Sequence, residues 1–317
     1  MKILNVLLFV GAILLLSTCS KPQIEEGVSL ESTSINDPSL TDPADYLISV
    51  HDSSLHDGML LDSLLKMPTV VAFHGFSAST FEWLEFHNYC DSVGNARVSL
   101  PLLGGHGRDY ADFKKATWRD WQAGPLAEYK ALADNGYTNL DITCSSTGCP
   151  LVVDALATGW FKKRTAPRRI IMIDPIILSS AKDLSLIDLV GPVIGNVQTD
   201  CTEIEKQHWY CNRPQEALNQ LMTLLDRVVS QLQDGVTAPA GTQIVVYKSK
   251  RDGSADPESA LLLYKGLYLA NHAKIDVRIV DSDKHVFIRG AGRASWSTAD
   301  SILQFKTFAE MDSMFTH

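Results

Sequence analysis

The sequence has no long run of Lys or Arg, no Cys-x-x-Cys pair and no cluster of Cys and His at metal-ligand spacing. The first absence, with a formal net charge of −9, speaks against a nucleic-acid surface. The second and third speak against a zinc site. There is no internal repeat, so the chain is not an array of small modules. Long apolar runs are scarce as well. The N-terminal one extends from Ile3 to Leu16, is interrupted by Asn5, and is too short to cross a bilayer comfortably. What remains is ordinary globular material: 317 residues, 45% hydrophobic and 21% charged. That suffices for the core of one large α/β domain or two small ones. The acidic balance reads as a solvated surface.

The N-terminal run has a different use. Lys2 before it, and small residues and Cys19 after it, give residues 1–18 the layout of a signal peptide. Leu16-Ser17-Thr18-Cys19 resembles the bacterial lipoprotein signal, with Thr18 where a smaller Gly or Ala is usual. The resemblance implies cleavage before Cys19 and a lipid on its thiol, whose acyl chains supply membrane affinity through the methylenes they bury. The alternative is a signal peptide with a stray Cys; on both readings the protein is exported. The expected location is the bacterial cell envelope, anchored to a membrane, at the outer membrane or facing the periplasm. Residues 19–45, rich in Ser, Glu, Asp, Pro and Thr, read as a flexible tether with little low-complexity sequence elsewhere.

Cysteine usage agrees with export. Cys201 and Cys211 bracket a short polar loop that a disulfide would close. Cys90, Cys144 and Cys149 are odd in number, so at least one is expected as a buried thiol.

Beyond the tether, short β-rich runs alternate with helical stretches. Strands are expected at Thr69 to His74, Arg97 to Leu100, Asn139 to Cys144, Arg169 to Asp174, Gln243 to Tyr247 and Lys274 to Val280. Several are continuous apolar runs, as strands covered on both faces require. A helical pattern such as Pro257 to Ala270 lies between them. The alternation predicts a mostly parallel sheet wrapped by helices. Residues 46–177 and 237–317 are assigned to this core. Residues 178–236 break the rhythm: no strand is evident, a long helical pattern runs through Glu216 to Leu232, and an all-helical cap over the sheet edge is expected.

The chemistry concentrates at Leu140-Asp141-Ile142-Thr143-Cys144-Ser145-Ser146-Thr147-Gly148. A strand entering a tight turn and then a helix exposes one hydroxyl at the helix N-terminus, and small residues two before and two after it let the backbone pass closely. Ser146 fits as nucleophile, with Gly148 at the second small position and Cys144 where Gly is usual. Ser145 or Cys144 as nucleophile would place bulky or β-branched neighbours in the turn. A serine hydroxyl needs a base, and the base needs an orienting acid. Asp252 lies free in the loop after the strand ending near Tyr247, whereas Asp256 precedes Pro257 and reads as a helix cap. Asp252 is therefore favoured. His285 follows the last expected strand and completes the order Ser, Asp, His. His74, His106, His208 and His272 lack that combination and read as structural. Oxyanion donors are expected from the backbone N–H groups of Thr147 and of Phe76, in the loop after the first core strand.

With His74-Gly75-Phe76, the loop Leu100-Pro101-Leu102-Leu103-Gly104-Gly105-His106-Gly107, Trp118 and Trp121, the Ser146 turn, the Asp252…Asp256-Pro257 loop and Lys284-His285-Val286, the chain from about Thr69 to Phe308 resembles the α/β-hydrolase family. Within it the likeness is to bacterial carboxylesterases and monoacylglycerol lipases. The resemblance implies a mostly parallel sheet flanked by helices, a small helical cap between the sixth and seventh strands of that fold, a Ser-His-Asp triad, and no cofactor or metal. The two antiparallel strands that open such sheets are not evident.

The expected activity is hydrolysis of carboxylic esters, acyl or monoacylglycerol-like, through an acyl-enzyme. Because free imidazole titrates near ~6.5, such activity should fall as pH drops through the working pKa of the histidine. The expected partners are a small-molecule ester with an apolar acyl group and, through the lipid, a membrane; nucleic acid is not among them. Leu184, Leu186, Ile187, Leu189, Val190, Val193, Ile194, Trp209 and Tyr210 suit an acyl-chain cleft, and equally the packing of the cap. Two other readings stay open: an amidase or peptidase on the same fold, and a non-catalytic binding lipoprotein. A dehalogenase would need Asp in the turn.

Overall fold

The computed structural model describes residues 58–107, 109–180 and 196–317. The signal segment, Cys19, the tether and the cap positions Leu184 to Ile194 lie outside the described residues. The described chain begins with α1 (Gly58–Lys66), β1 (Thr69–Phe73), α2 (Phe81–Val93), β2 (Arg97–Ser99), α3 (Tyr110–Lys115) and α4 (Trp118–Asp134). It continues with β3 (Leu140–Ser145), α5 (Gly148–Ala157), β4 (Arg169–Ile173), β5 (Asn196–Gln198), α6 (Glu205–His208) and β6 (Asn212–Pro214). Then come α7 (Gln215–Asp234), β7 (Val236–Thr237), β8 (Gln243–Ser249), α8 (Glu258–Gly266), β9 (Leu267–Tyr268), β10 (Asp276–Val280) and α9 (Thr298–Thr316).

Six strands form one sheet in the order β10-β8-β4-β3-β1-β2, and every neighbouring pair is parallel. Side chains alternate between the two faces, and both faces are covered, which is why the central strands read as unbroken apolar runs. Val71, Phe73, Leu140, Ile142, Ile170, Met172, Ile244 and Val246 point to one core, shared with the buried residues of α4, α5 and α7. Val70, Ala72, Val98, Ile171, Ile173 and Tyr247 point to the other, closed by Trp83 and Phe86 of α2 and Phe308, Met311 and Phe315 of α9. Helix starts are set by side-chain caps: Thr117 with Asp120 for α4 and Ser297 with Asp300 for α9 are reciprocal capping boxes. No helix among the described residues is long and apolar enough to cross a membrane.

The segment after β4 departs from the expected all-helical cap. It contains the antiparallel pair β5–β6 and the short strand β7, which joins β9. These strands are two or three residues long and carry Asn, Arg and Pro, so no periodic apolar signal announces them. The long helix α7 falls in this segment, as expected. Its Ala217, Leu218, Leu221, Leu224, Leu225, Val228 and Leu232 form one buried stripe, at the three- and four-residue spacing of a helix packed on a core. That stripe packs on α5 and α8, in the layer that covers the sheet. Cys201 and Cys211 are bonded to each other in the β5–β6 excursion, while Cys90, Cys144 and Cys149 are buried free thiols.

One buried acid in this layer gives a stability prediction. Glu128 of α4 accepts a hydrogen bond from Ser99 Oγ at 2.6 Å, but its Oε2 is buried without a partner. Burial raises its pKa to about 7. A folded-state pKa above the unfolded one means that stability falls as pH rises from about 4.5 through 7 and stays lower above it. Glu128→Gln should remove that slope and stabilise the protein at pH 8 by about 2–3 kcal/mol, measurable by urea unfolding at pH 5 and pH 8.

Candidate active site

Ser146 sits where β3 turns into α5. Its φ of 46° is in the left-handed region, which a non-glycine residue enters only under constraint. The turn is tight enough that a Cβ on Gly148 would lie 2.3 Å from the Phe73 carbonyl oxygen, so only Gly fits there. Position 144 has more room. Cys144 faces Cys149, with 2.7 Å between the two sulfurs, both in the core beneath the turn. The small side chain expected there is met by thiol-to-thiol packing instead of glycine.

Residues from three sheet ends meet at Ser146. The loop after β8 brings Asp252 and the loop after β10 brings His285. His285 Nε2 lies 2.8 Å from Ser146 Oγ, and His285 Nδ1 lies 2.8 Å from Asp252 Oδ2. A carboxylate against Nδ1 fixes the proton on that nitrogen and leaves Nε2 as the acceptor for the serine hydroxyl. Asp252 Oδ1 accepts the N–H groups of Ser254 and Ala255 at 2.8 and 3.0 Å, so the carboxylate cannot swing away. Asp256 is engaged elsewhere, its Oδ1 accepting the Glu258 N–H at the start of α8. Val286, directly after His285, has a φ of 52°, a second strained residue at this junction.

Two charged residues that sequence reasoning passed over complete the acid side. Lys248, at the end of β8, is fully buried; its Nζ donates to Asp252 Oδ2 and lies 3.5 Å from Asp174 Oδ1. Asp174, just past β4, accepts from the Ser249 N–H at 2.6 Å, Ser249 Oγ at 3.0 Å and the Phe287 N–H at 3.2 Å. Burial opposes ionisation of Asp252, but His285 and Lys248 outweigh it and hold the carboxyl well below the usual range. Burial pushes Asp174 upward, with Lys248 and His285 opposing. Ligand atoms of Asp174, Asp252 and His285 all lie within 4.8 Å of one another, a spacing that suits a cation. The Lys248 ammonium already lies against both carboxylates.

On the other side, the loop after β1 carries Gly75 and Phe76. A Cβ on Gly75 would lie 3.1 Å from Ser146 Cβ, so this loop passes directly beside the hydroxyl. Glu82 of α2, also missed in the sequence, ties the two parts together: it accepts the Gly75 N–H at 2.7 Å and the hydroxyl of Ser145. Neither Phe76 nor Thr147 donates its backbone N–H to another described residue. Thr147 N–H stands at the start of α5, where helix N–H groups lack internal partners. His74 carries no charge here: burial lowers its pKa to about 4, and its Nε2 accepts the Leu103 N–H at 3.0 Å. Burial likewise takes His106 well below its ordinary value. The segment bearing Trp209 and Tyr210 leans over these loops. Tyr210 N–H donates to Ser77 O at 2.9 Å, His208 stacks on Phe81 at 3.7 Å between ring centroids, and Glu205 pairs with Arg289 at 3.0 Å.

A six-stranded parallel sheet with this turn at the C-terminal end of a central strand matches solved structures. The chain aligns with a metagenome-derived lipolytic enzyme of the LipS and LipT pair at a TM-score of 0.61 and 21% identity, over 78% of this chain and 94% of that one. The fold is that of the α/β-hydrolases. A soluble variant of monoglyceride lipase from Saccharomyces cerevisiae aligns at a TM-score of 0.58 and 11% identity, over 79% and 86% of the two chains. Est1E from Butyrivibrio proteoclasticus, with ferulic acid bound, gives 0.51 and 13%, over 78% and 89%. No protein-family model and no curated protein matches the sequence. In this version of the fold the described sheet is wholly parallel, without an antiparallel pair at its start.

Proposed function

We propose that the chain is a serine hydrolase of carboxylic esters, acyl or monoacylglycerol-like, with Ser146 as nucleophile, His285 as base and Asp252 as the orienting acid. The observation that carries this is the unbroken hydrogen-bonded path from Ser146 Oγ through the imidazole to Asp252 Oδ2, at 2.8 Å for each bond. His285 Nε2 takes the hydroxyl proton as Oγ bonds to the ester carbonyl carbon. The resulting oxyanion is held by the N–H groups of Phe76 and Thr147. Collapse breaks the bond to the alcohol, which leaves with the proton from Nε2. Water then gives a proton to the same nitrogen as its oxygen bonds to the acyl carbon; collapse breaks the bond to Oγ, which takes the proton back from Nε2 as the carboxylic acid leaves. Asp252 stays ionised throughout, because His285 and Lys248 both favour its charge.

A fluorophosphonate probe tests the assignment. One label per chain on the peptide carrying Ser146 is expected, blocked by prior heating. No labelling would favour a non-catalytic binder, and faster turnover of aminoacyl amides than of aryl esters would favour an amidase. Membrane anchoring belongs to the same proposal, with Cys19 as the lipidated residue. Labelled palmitate should enter the full chain when it is expressed in a bacterial host, and Cys19→Ala should abolish that incorporation and release the protein from the membrane fraction.

A further inference from the structure

Arg213, in β6 opposite Val197, differs from several other arginines of the fold. Arg227 pairs with Asp154 at 2.7 Å and Arg289 with Glu205 at 3.0 Å. Arg293 donates to the carbonyl oxygens of Arg289 and Val286. Arg213 has no hydrogen-bonded or ion-paired acceptor among the described residues, and its Nε is buried without a partner. The residue as a whole is half-buried. Burial pushes its pKa down, and no carboxylate counters the shift. Its guanidinium lies over the ring of Phe76, 6.0 Å from Cζ to the centroid, at the outer limit of a cation–π contact.

Phe76 belongs to the loop that passes beside Ser146. Its ring packs against Trp121 at 5.6 Å and His106 at 6.3 Å between centroids. Trp121 Nε1 and His106 Nε2 are also buried without a protein partner. Folded proteins pair nearly all buried polar groups, so three unpaired nitrogens around one ring are a local excess. An unpaired guanidinium is the costliest of them, since arginine cannot shed its charge and loses hydration by being there. A planar fork of this kind matches a carboxylate with two parallel N–H···O bonds.

We propose that Arg213 anchors a carboxylate on the substrate, so that the preferred ester carries a free carboxylate on its acyl or its alcohol part. The inference rests on Ser146 being the nucleophile and narrows the substrate class of that site. Arg213 is the specificity-determining residue on this reading; the reacting atoms stay with Ser146, His285 and Asp252.

Two substrate arms tell the acyl side from the alcohol side: monoethyl adipate against diethyl adipate, and 6-acetoxyhexanoate against its methyl ester. In at least one arm the carboxylate form should have the higher kcat/KM, by about tenfold, and Arg213→Met should lower that ratio by roughly ten- to a hundredfold. Arg213→Lys, which keeps the charge but loses the fork, should fall between. A second readout needs no turnover: adipate or 6-acetoxyhexanoate should bind the Ser146→Ala protein in calorimetry and lose that binding when Arg213→Met is added. A ratio unchanged by Arg213→Met, or a wild-type preference for the neutral ester in both arms, overturns the proposal. Error in the nucleophile assignment would show elsewhere, as turnover that survives Ser146→Ala.

Discussion

Ester hydrolysis by the Ser146→Ala protein is expected to fall by about a thousandfold or more, with its fold and stability kept. The expectation follows from how little else the hydroxyl does. Ser146 Oγ makes one side-chain hydrogen bond, to His285 Nε2, and the turn is held by other bonds. The Ser146 N–H donates to Ile173 O at 3.1 Å, and Ser146 O accepts from the N–H groups of Cys149 and Ile176 at 3.2 and 3.3 Å. Ala keeps all of these and suffers the same left-handed φ as Ser. A change in stability within about 1 kcal/mol, or a few degrees in Tm, is expected. Activity against aryl esters and Tm by calorimetry check the two halves separately. Asp252→Asn is a poorer diagnostic here: it disturbs the imidazole, but it also strips a buried lysine of its closest anion, so lost activity and lost stability would be confounded.

The difference between those two variants reflects what the sequence could reveal. Val70-Val71-Ala72-Phe73 and Ile170-Ile171-Met172-Ile173 announce buried strands because both faces of the sheet are covered. That Ser146, Asp252 and His285 come together is legible because each follows a strand, buried for the first two and a half-exposed edge strand for His285, and the strand ends of a parallel sheet converge on one edge. Asp256 could be set aside because a Pro follows it. Lys248 and Asp174 carry no comparable signal. A Lys after Tyr247 and an Asp ending a strand look like ordinary charges leaving a sheet, and only the fold turns them toward each other. Glu82 is hidden in the same way, as an acid in the first turn of α2, where a solvated position is the default. In the segment after β4, β5 and β6 pair over three residues, too few for any periodicity, and α7 has an amphipathic stripe that fits a flank as well as a lid. Local pattern specifies which face of α7 is buried; it does not specify against what.

Lys248→Met should cost about 3–5 kcal/mol of stability, the range for removing one partner of a buried ion pair. Met preserves most of the packing volume, so the loss isolates the charge. Two carboxylates that share this ammonium, Asp174 and Asp252, would remain buried without it. The pKa of Asp174, already raised by burial, should then rise further, and that of Asp252 should climb from its depressed value. The destabilisation should therefore be small at pH 4, grow as pH climbs through those raised values, and be full at neutral pH and above. Asp174→Asn in the Lys248→Met background should restore part of the loss, and the double-mutant cycle should give a coupling of about 1–3 kcal/mol. A kinetic sign separates this role from packing alone. Asp252 Oδ2 receives both the ammonium and the imidazole, so the lysine touches the group that orients the base. Without the lysine that shared contact is lost, and kcat/KM should fall under conditions where the variant is still folded. A variant that loses stability yet keeps the wild-type kcat/KM would show that the ammonium balances buried charge without reaching the base.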